Sequence, residues 1–244
     1  MASLQGQVVV VTGAGSGVGA ALVRMLHAAG AKVALAGRNA AKLDKVIAEL
    51  GAGDSLLAVP TDVTRSEQCA ALIATTVAKF GKVDVLVNNA GGNIKGRTLR
   101  ELTPETWDAM IRANLDGAFY CLHAVMPGML ERRSGLVVNI VSVAGKRANP
   151  LGGAAYVAAK FGMGGLGLVL GNEEKDSGIR VSNIYPGEID TPILEQRPTT
   201  VTKAHRASIL KPDDVADAVM YVIGLPASVS IPELVIKPTT QGYF

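Results

Sequence analysis

Short apolar, β-branched runs alternate with longer segments of helical spacing along this chain. Residues 8–11 are four consecutive valines, the pattern of a strand buried on both faces. Residues 18–29 follow with helical spacing and stop at Gly30. The alternation repeats as strand 32–36, helix 40–50 ended by Gly51, strand 56–59, helix 67–80 and strand 83–87. Thr103-Pro104-Glu105 sets a capping hydroxyl before a proline at the first helical position. A single helix is expected from there to Arg132. A fifth strand over 136–143, a helix over 154–175 and a sixth strand over 179–184 come next. Lys211-Pro212-Asp213 opens a further helix ending near Gly224, and 234–236 forms a last short strand.

Strand then helix, about six times over, predicts an α/β fold: a Rossmann-like, doubly wound parallel sheet of about seven strands. No Pro-, Gly- or Ser-rich linker divides residues 1–244, so one domain is expected. Residues 188–210 lack apolar periodicity and contain Pro192 and Pro198. A loop that long is expected to be functional, here a cover for the substrate.

Composition narrows the class. A net charge of +3 with scattered charges offers no basic stripe, which argues against a nucleic-acid partner. Residues 1–23 carry no charged side chain. They lack a basic leader, and Gly13, Gly15, Gly17 and Gly19 interrupt them, so neither a signal peptide nor a membrane anchor is expected. The two cysteines, Cys69 and Cys121, fall in helical segments and read as buried free thiols, which fits a reducing cytoplasm. His27, His123 and His205 form no ligand-spaced cluster, and no metal is expected.

Thr12-Gly13-Ala14-Gly15-Ser16-Gly17-Val18-Gly19 joins the first strand to the first helix. Glycines there let the backbone turn sharply and approach a pyrophosphate, while the helix N-terminus offers free N–H groups. The second strand ends Ala36-Gly37-Arg38. Gly37 stands where an acidic residue would bind a ribose 2′-hydroxyl, and Arg38 can form paired bonds to a 2′-phosphate. These residues favour NADP(H) while still admitting NAD(H). Tyr156 and Lys160, four apart, share one face of a helix. The expected role of that ammonium is to lower the tyrosine pKa, so that the phenol can exchange a proton with an alcohol or carbonyl oxygen.

The glycine spacing, T-G-x-x-x-G-x-G, resembles that of the short-chain dehydrogenase/reductase family. The resemblance extends over nearly the whole chain. It implies that Asn89, Ala90 and Gly91, in Asn88-Asn89-Ala90-Gly91, support the sheet beside the cofactor, and that Asp62 and Val63 lie at the adenine. Pro186, Gly187 and Thr191 match the segment near the nicotinamide. It further implies a catalytic tetrad of Asn114, Ser142, Tyr156 and Lys160. Ser142 would hold the substrate oxygen, Lys160 the nicotinamide ribose, and Asn114 a water leading to solvent.

The substrate implied is a small alcohol or carbonyl compound. Its pocket is expected along 92–97, 143–155 and 188–210, where Lys95, Arg97, Lys146 and Arg147 would suit an anion or stand as solvated charges. The C-terminal run Ile231-Pro232-Glu233-Leu234-Val235-Ile236-Lys237-Pro238-Thr239-Thr240-Gln241 looks like the NADP-dependent branch acting on small 3-hydroxy acids and serine-type substrates. A 3-oxoacyl-thioester reductase is the alternative, and a non-catalytic NADP(H) sensor a third reading. Family members are mostly homotetramers or dimers built through the helices over 104–132 and 154–175. Gly162, Gly164, Gly165 and Gly167 would permit close helix approach there.

Overall fold

The computed structural model describes residues 3–51 and 53–242. Its strands are β1 (Val8–Thr12), β2 (Lys32–Gly37), β3 (Leu56–Pro60), β4 (Val85–Asn88), β5 (Gly135–Ile140), β6 (Ile179–Pro186) and β7 (Glu233–Ile236). They pair in the order β3-β2-β1-β4-β5-β6-β7, all parallel. The helices are α1 (Gly17–Ala28), α2 (Ala40–Glu49), α3 (Ser66–Phe80), α4 (Pro104–Ile111), α5 (Gly117–Arg132), α6 (Ala154–Glu173), α7 (Lys203–Ser208) and α8 (Pro212–Ile223).

Strand periodicity divides the core into two layers. Val9 and Val11 of β1 join Leu22 and Leu26 of α1, Leu43 of α2 and Val219 of α8. Val10, between them in sequence, joins Leu72 of α3 and Cys121 and Val125 of α5 on the opposite face. Both faces are covered, which is why the strands read as unbroken apolar runs. Cys69 and Cys121 are buried and free.

Three departures from the sequence reading have physical causes. The helix expected over 104–132 is broken by a wide turn of π-helix, Arg112–Asp116. Asn114 sits in that turn, 1% exposed, and its Nδ2 donates to the Met110 carbonyl at 2.9 Å. The fifth strand stops at Ile140 rather than running to 143, because Ser142 accepts from Ala144 N–H at 3.1 Å and starts a short 3₁₀ turn, Val143–Gly145. The segment 188–210 is not a plain loop: it holds a 3₁₀ turn, Pro192–Gln196, and α7 capped by Thr202.

The glycines of α6 also serve a different end from the one expected. Asn88, Asn139 and Asn183 occupy paired positions on β4, β5 and β6. Their amides form a buried ladder, Asn88 to Asn139 at 3.0 Å and Asn139 to Asn183 at 2.9 Å, ending on the Gly164 carbonyl at 2.9 Å. A Cβ at Gly167 would come within 2.2 Å of Asn183 Oδ1, and one at Gly164 within 2.9 Å of the Tyr185 hydroxyl. Gly167 thus admits the polar ladder against α6, Gly164 the Tyr185 hydroxyl, and Gly162 Leu115. Only Gly165 faces open space. Among the described residues α6 is also the one helix long and apolar enough to cross a membrane. Here it lies against the sheet, with Ala159 and Lys160 buried.

Candidate active site

The strand order reverses between β1 and β4, and ligand sites in such sheets lie beyond the carboxyl ends of the strands at that point. A cleft of about 540 Å³ opens there. Its walls include Gly13, Ser16, Gly17, Val18 and Arg38 on one side, and Asn89, Ala90 and Gly91 after β4. Asn114, Ser142, Tyr156 and Lys160 line the deep end, and Pro186, Gly187 and Thr191 the far wall.

The glycine loop is built for close approach. Gly13 has φ +68°, and a Cβ there would fall 2.9 Å from Asn89 Nδ2. Thr12 Oγ1 accepts from the N–H groups of Asn89 and Ala90, both at 2.9 Å, and so bolts the loop to the segment after β4. Ser16 gives α1 no side-chain cap, so the helix keeps its terminal N–H groups for an anion. Gly17 has φ +53° and packs on Thr191, closing the loop against the far wall. This cradle fits the pyrophosphate of a nicotinamide dinucleotide.

Four residues assigned to the cofactor by sequence stand outside the cleft wall: Gly15, Gly19, Asp62 and Val63. Gly19 is a packing residue, because a Cβ there would lie 2.3 Å from the Gly13 carbonyl oxygen. Gly15 seats the loop against Lys42, and Val63 packs on Gly117. Burial pushes the Asp62 carboxyl up, but hydrogen bonds from Thr64 and the nearby Arg38 and Arg65 outweigh it and hold it lower.

At the deep end, Lys160 Nζ donates to the Ile140 carbonyl at 2.8 Å and lies 5.8 Å from the centre of the Tyr156 ring. Burial brings its pKa down to about 7. Burial pushes the Tyr156 phenol up, outweighing a hydrogen bond with Ser142 and the field of the Arg97 guanidinium. The Arg97 guanidinium thus acts in favour of the phenolate, and Lys160, with one of its three N–H groups on a backbone carbonyl, lies beside the Tyr156 ring. Asn114 Oδ1 accepts from Gly92 N–H at 3.0 Å while Nδ2 donates to the Gly92 carbonyl at 3.1 Å. Its carboxamide thus pins the segment after β4 to the wide helical turn.

A family model for short chain dehydrogenase matches residues 7–202. The chain belongs to the short-chain dehydrogenase family. It is 37% identical over 238 residues to an uncharacterised oxidoreductase of Staphylococcus aureus strain MRSA252, covering 98% of this chain and 100% of that one. Among solved structures, the closed form of a serine dehydrogenase complexed with NADP+ matches with TM-score 0.89 and 33% identity, over 97% of both chains. A 3-ketoacyl-(acyl-carrier-protein) reductase from Brucella melitensis, complexed with NADH, matches with TM-score 0.88 and 31% identity, over 96% of this chain and 98% of that one. As a short-chain dehydrogenase, this protein is an oxidoreductase.

The short-chain dehydrogenase cleft holds residues that sequence reasoning passed over. Of the four cations expected near the substrate, only Arg97 lines it. Lys146 pairs with Glu233 at 2.8 Å, and Lys95 and Arg147 are exposed. Glu188, Arg197 and Gln241 also line the cleft, with Glu188 bound to Arg197 at 3.2 Å and its N–H donating to Gln241 Oε1 at 2.8 Å. The signal for Gln241 was present in the C-terminal run. Glu188 and Arg197 fall in the segment 188–210 expected to line the pocket, although neither was singled out within it.

Proposed function

We propose that this protein is an NADP(H)-dependent oxidoreductase interconverting a small 3-hydroxy acid and its 3-oxo counterpart. The observation that carries the reading is one cleft with Ser142, Tyr156 and Lys160 at one end and the glycine cradle with Arg38 at the other. Bound nicotinamide supplies the hydride in reduction and accepts it in oxidation. Tyr156 gives the proton to the substrate oxygen in reduction and takes it in oxidation. Ser142 hydrogen-bonds that oxygen and holds charge on it. Lys160 holds the nicotinamide ribose, and Arg38 the 2′-phosphate. The serine dehydrogenase likeness and Gln241 in the cleft wall support the hydroxy-acid class. The segment 188–210, with its two helical turns, covers the substrate. The buried free thiols support a cytoplasmic setting. Exposed Phe119 on α5, with Phe161, Leu168 and Val169 on α6, supports a homotetramer or a dimer.

One observation favours a second reading, a 3-oxoacyl-thioester reductase. A mostly apolar cavity of about 400 Å³, lined by Leu99, Pro150 and Val157 among others, shares Arg97 and Asn149 with the cleft and could take an acyl tail. A panel of 3-oxo acids, 3-oxoacyl thioesters and unrelated carbonyls, run with NADPH and with NADH, separates the readings. Arg38→Ala is expected to weaken NADPH relative to NADH on the order of 10–100-fold, the scale of charge-assisted phosphate bonds. Tyr156→Phe is expected to abolish turnover while keeping cofactor binding. Binding of NADPH with no turnover across the panel would instead indicate a sensor.

A further inference from the structure

We propose that Arg97 reads a negative charge on the substrate, so that the compound reduced or oxidised at Tyr156 carries an anionic group. This rests on the oxidoreductase reading of the cleft and adds the residue that selects the substrate's charge.

Arg97 is only 5% exposed. Its Nε donates to the Ile94 carbonyl at 2.7 Å, Nη1 to the Leu151 carbonyl at 3.0 Å, and Nη2 to the Gln196 carbonyl. Those acceptors belong to the segments after β4, before α6 and after β6, the three that wall the substrate end of the cleft. The site is shaped around the side chain. Gly153 has φ +79°, and a Cβ there would lie 2.6 Å from Arg97 Cβ and 2.7 Å from its carbonyl oxygen.

A guanidinium has five N–H donors, so three bonds leave two uncommitted. More telling is the charge. Among the described residues no carboxylate pairs with Arg97. The nearby titratable groups are Arg197, itself held by Glu188 at 3.2 Å, and the Tyr156 phenol. Backbone carbonyls solvate a cation without neutralising it, and buried arginines are ordinarily paired. Burial and the neighbouring Arg197 both act against the charged form of Arg97. The three carbonyls account for three of the donors and for none of the charge. The positive charge is the part left unexplained, and an anionic substrate group supplies its counterpart beside the reacting phenol.

The test compares 3-oxobutanoate with its uncharged methyl ester, reduced with NADPH by the parent, Arg97→Lys and Arg97→Gln. The parent is expected to favour the acid in kcat/KM by at least about tenfold. Arg97→Gln should erase most of that preference through KM, and Arg97→Lys should keep part of it. Taking the acid-to-ester ratio cancels losses common to both substrates, such as looser loops or a less acidic phenol. An unchanged ratio in Arg97→Gln would overturn the proposal and leave Arg97 a loop staple. Should Arg97→Gln fail to fold, butanoate and butanamide are titrated into the parent with NADP+ by calorimetry. Tighter binding of the acid supports the subsite, and equal binding overturns it. Parent enzyme that prefers butanoate yet reduces neither oxo compound would sink the reaction assignment and keep the anion subsite. Reduction of acid and ester with equal efficiency would do the reverse.

Discussion

Lys160 holds its charge in a place that disfavours it. Its pKa falls from 10.5 to about 7 through burial, although Nζ keeps a carbonyl partner in Ile140. Between those two values the unfolded chain binds a proton that the folded chain has released. Stability therefore rises with pH across the window from about 7 to 10.5, and below it the burial penalty is fully present. Lys160→Met removes the titration together with the bond to Ile140. The lost bond shifts stability by a constant, so the pH dependence isolates the charge. The variant should gain on the parent as pH falls, by about 1.4 kcal/mol per unit inside the window. Urea unfolding at pH 6, 8 and 10 measures this. A stability difference that stays flat with pH would show that Lys160 is not held in a desolvated state.

At the scale of an element, α6 joins catalytic side chains at its start to a polar ladder further along, and its glycines do not share one purpose. Gly165 meets nothing within 4 Å, so Gly165→Ala should stabilise by about 0.5–1 kcal/mol through helix propensity alone. Gly167→Ala would drive a Cβ to 2.2 Å from Asn183 Oδ1 and 2.7 Å from Asn139 Nδ2, and should destabilise by about 1–3 kcal/mol. Calorimetric Tm values of opposite sign for two alanines on one helix would establish the ladder as the constraint. Equal shifts would refute it. The sequence shows five glycines in this helix and no means of ranking them, because the ladder forms only when β5 and β6 pair. The wide turn at Asn114 was hidden for a related reason. Only the unfavourable mid-helix Asn hinted at it. Elements were legible wherever local chemistry sets them: the valine run of β1, the Thr103-Pro104 start of α4, the Gly30 end of α1. The glycine cradle was legible because its backbone conformations demand glycine. Arg97 was not. Its acceptors Leu151 and Gln196 lie 54 and 99 residues away, and no local pattern encodes the burial of a cation by three loops.

At the scale of the whole molecule, the cleft is furnished by one chain, while part of the apolar surface is left over. Phe119, Phe161, Leu168 and Val169 are 47%, 44%, 38% and 54% exposed on α5 and α6, whereas the sheet-facing side of α6 is buried. Exposed apolar groups concentrated on neighbouring helices mark an association surface more often than a solvated one. In a symmetric pair each substituted residue is presented twice, so one added charge is felt on both sides of the contact. Val169→Asp lies nine positions, two and a half turns, beyond Lys160 on α6. In the homotetramer or dimer proposed above, it should lower the mass measured by light scattering, with cofactor binding preserved because the glycine cradle belongs to α1 and the loop before it. Loosening α6 should also reduce kcat, since Tyr156 and Lys160 sit in its first two turns. An unchanged mass in Val169→Asp would assign this face to solvent and leave the rate unaffected by association.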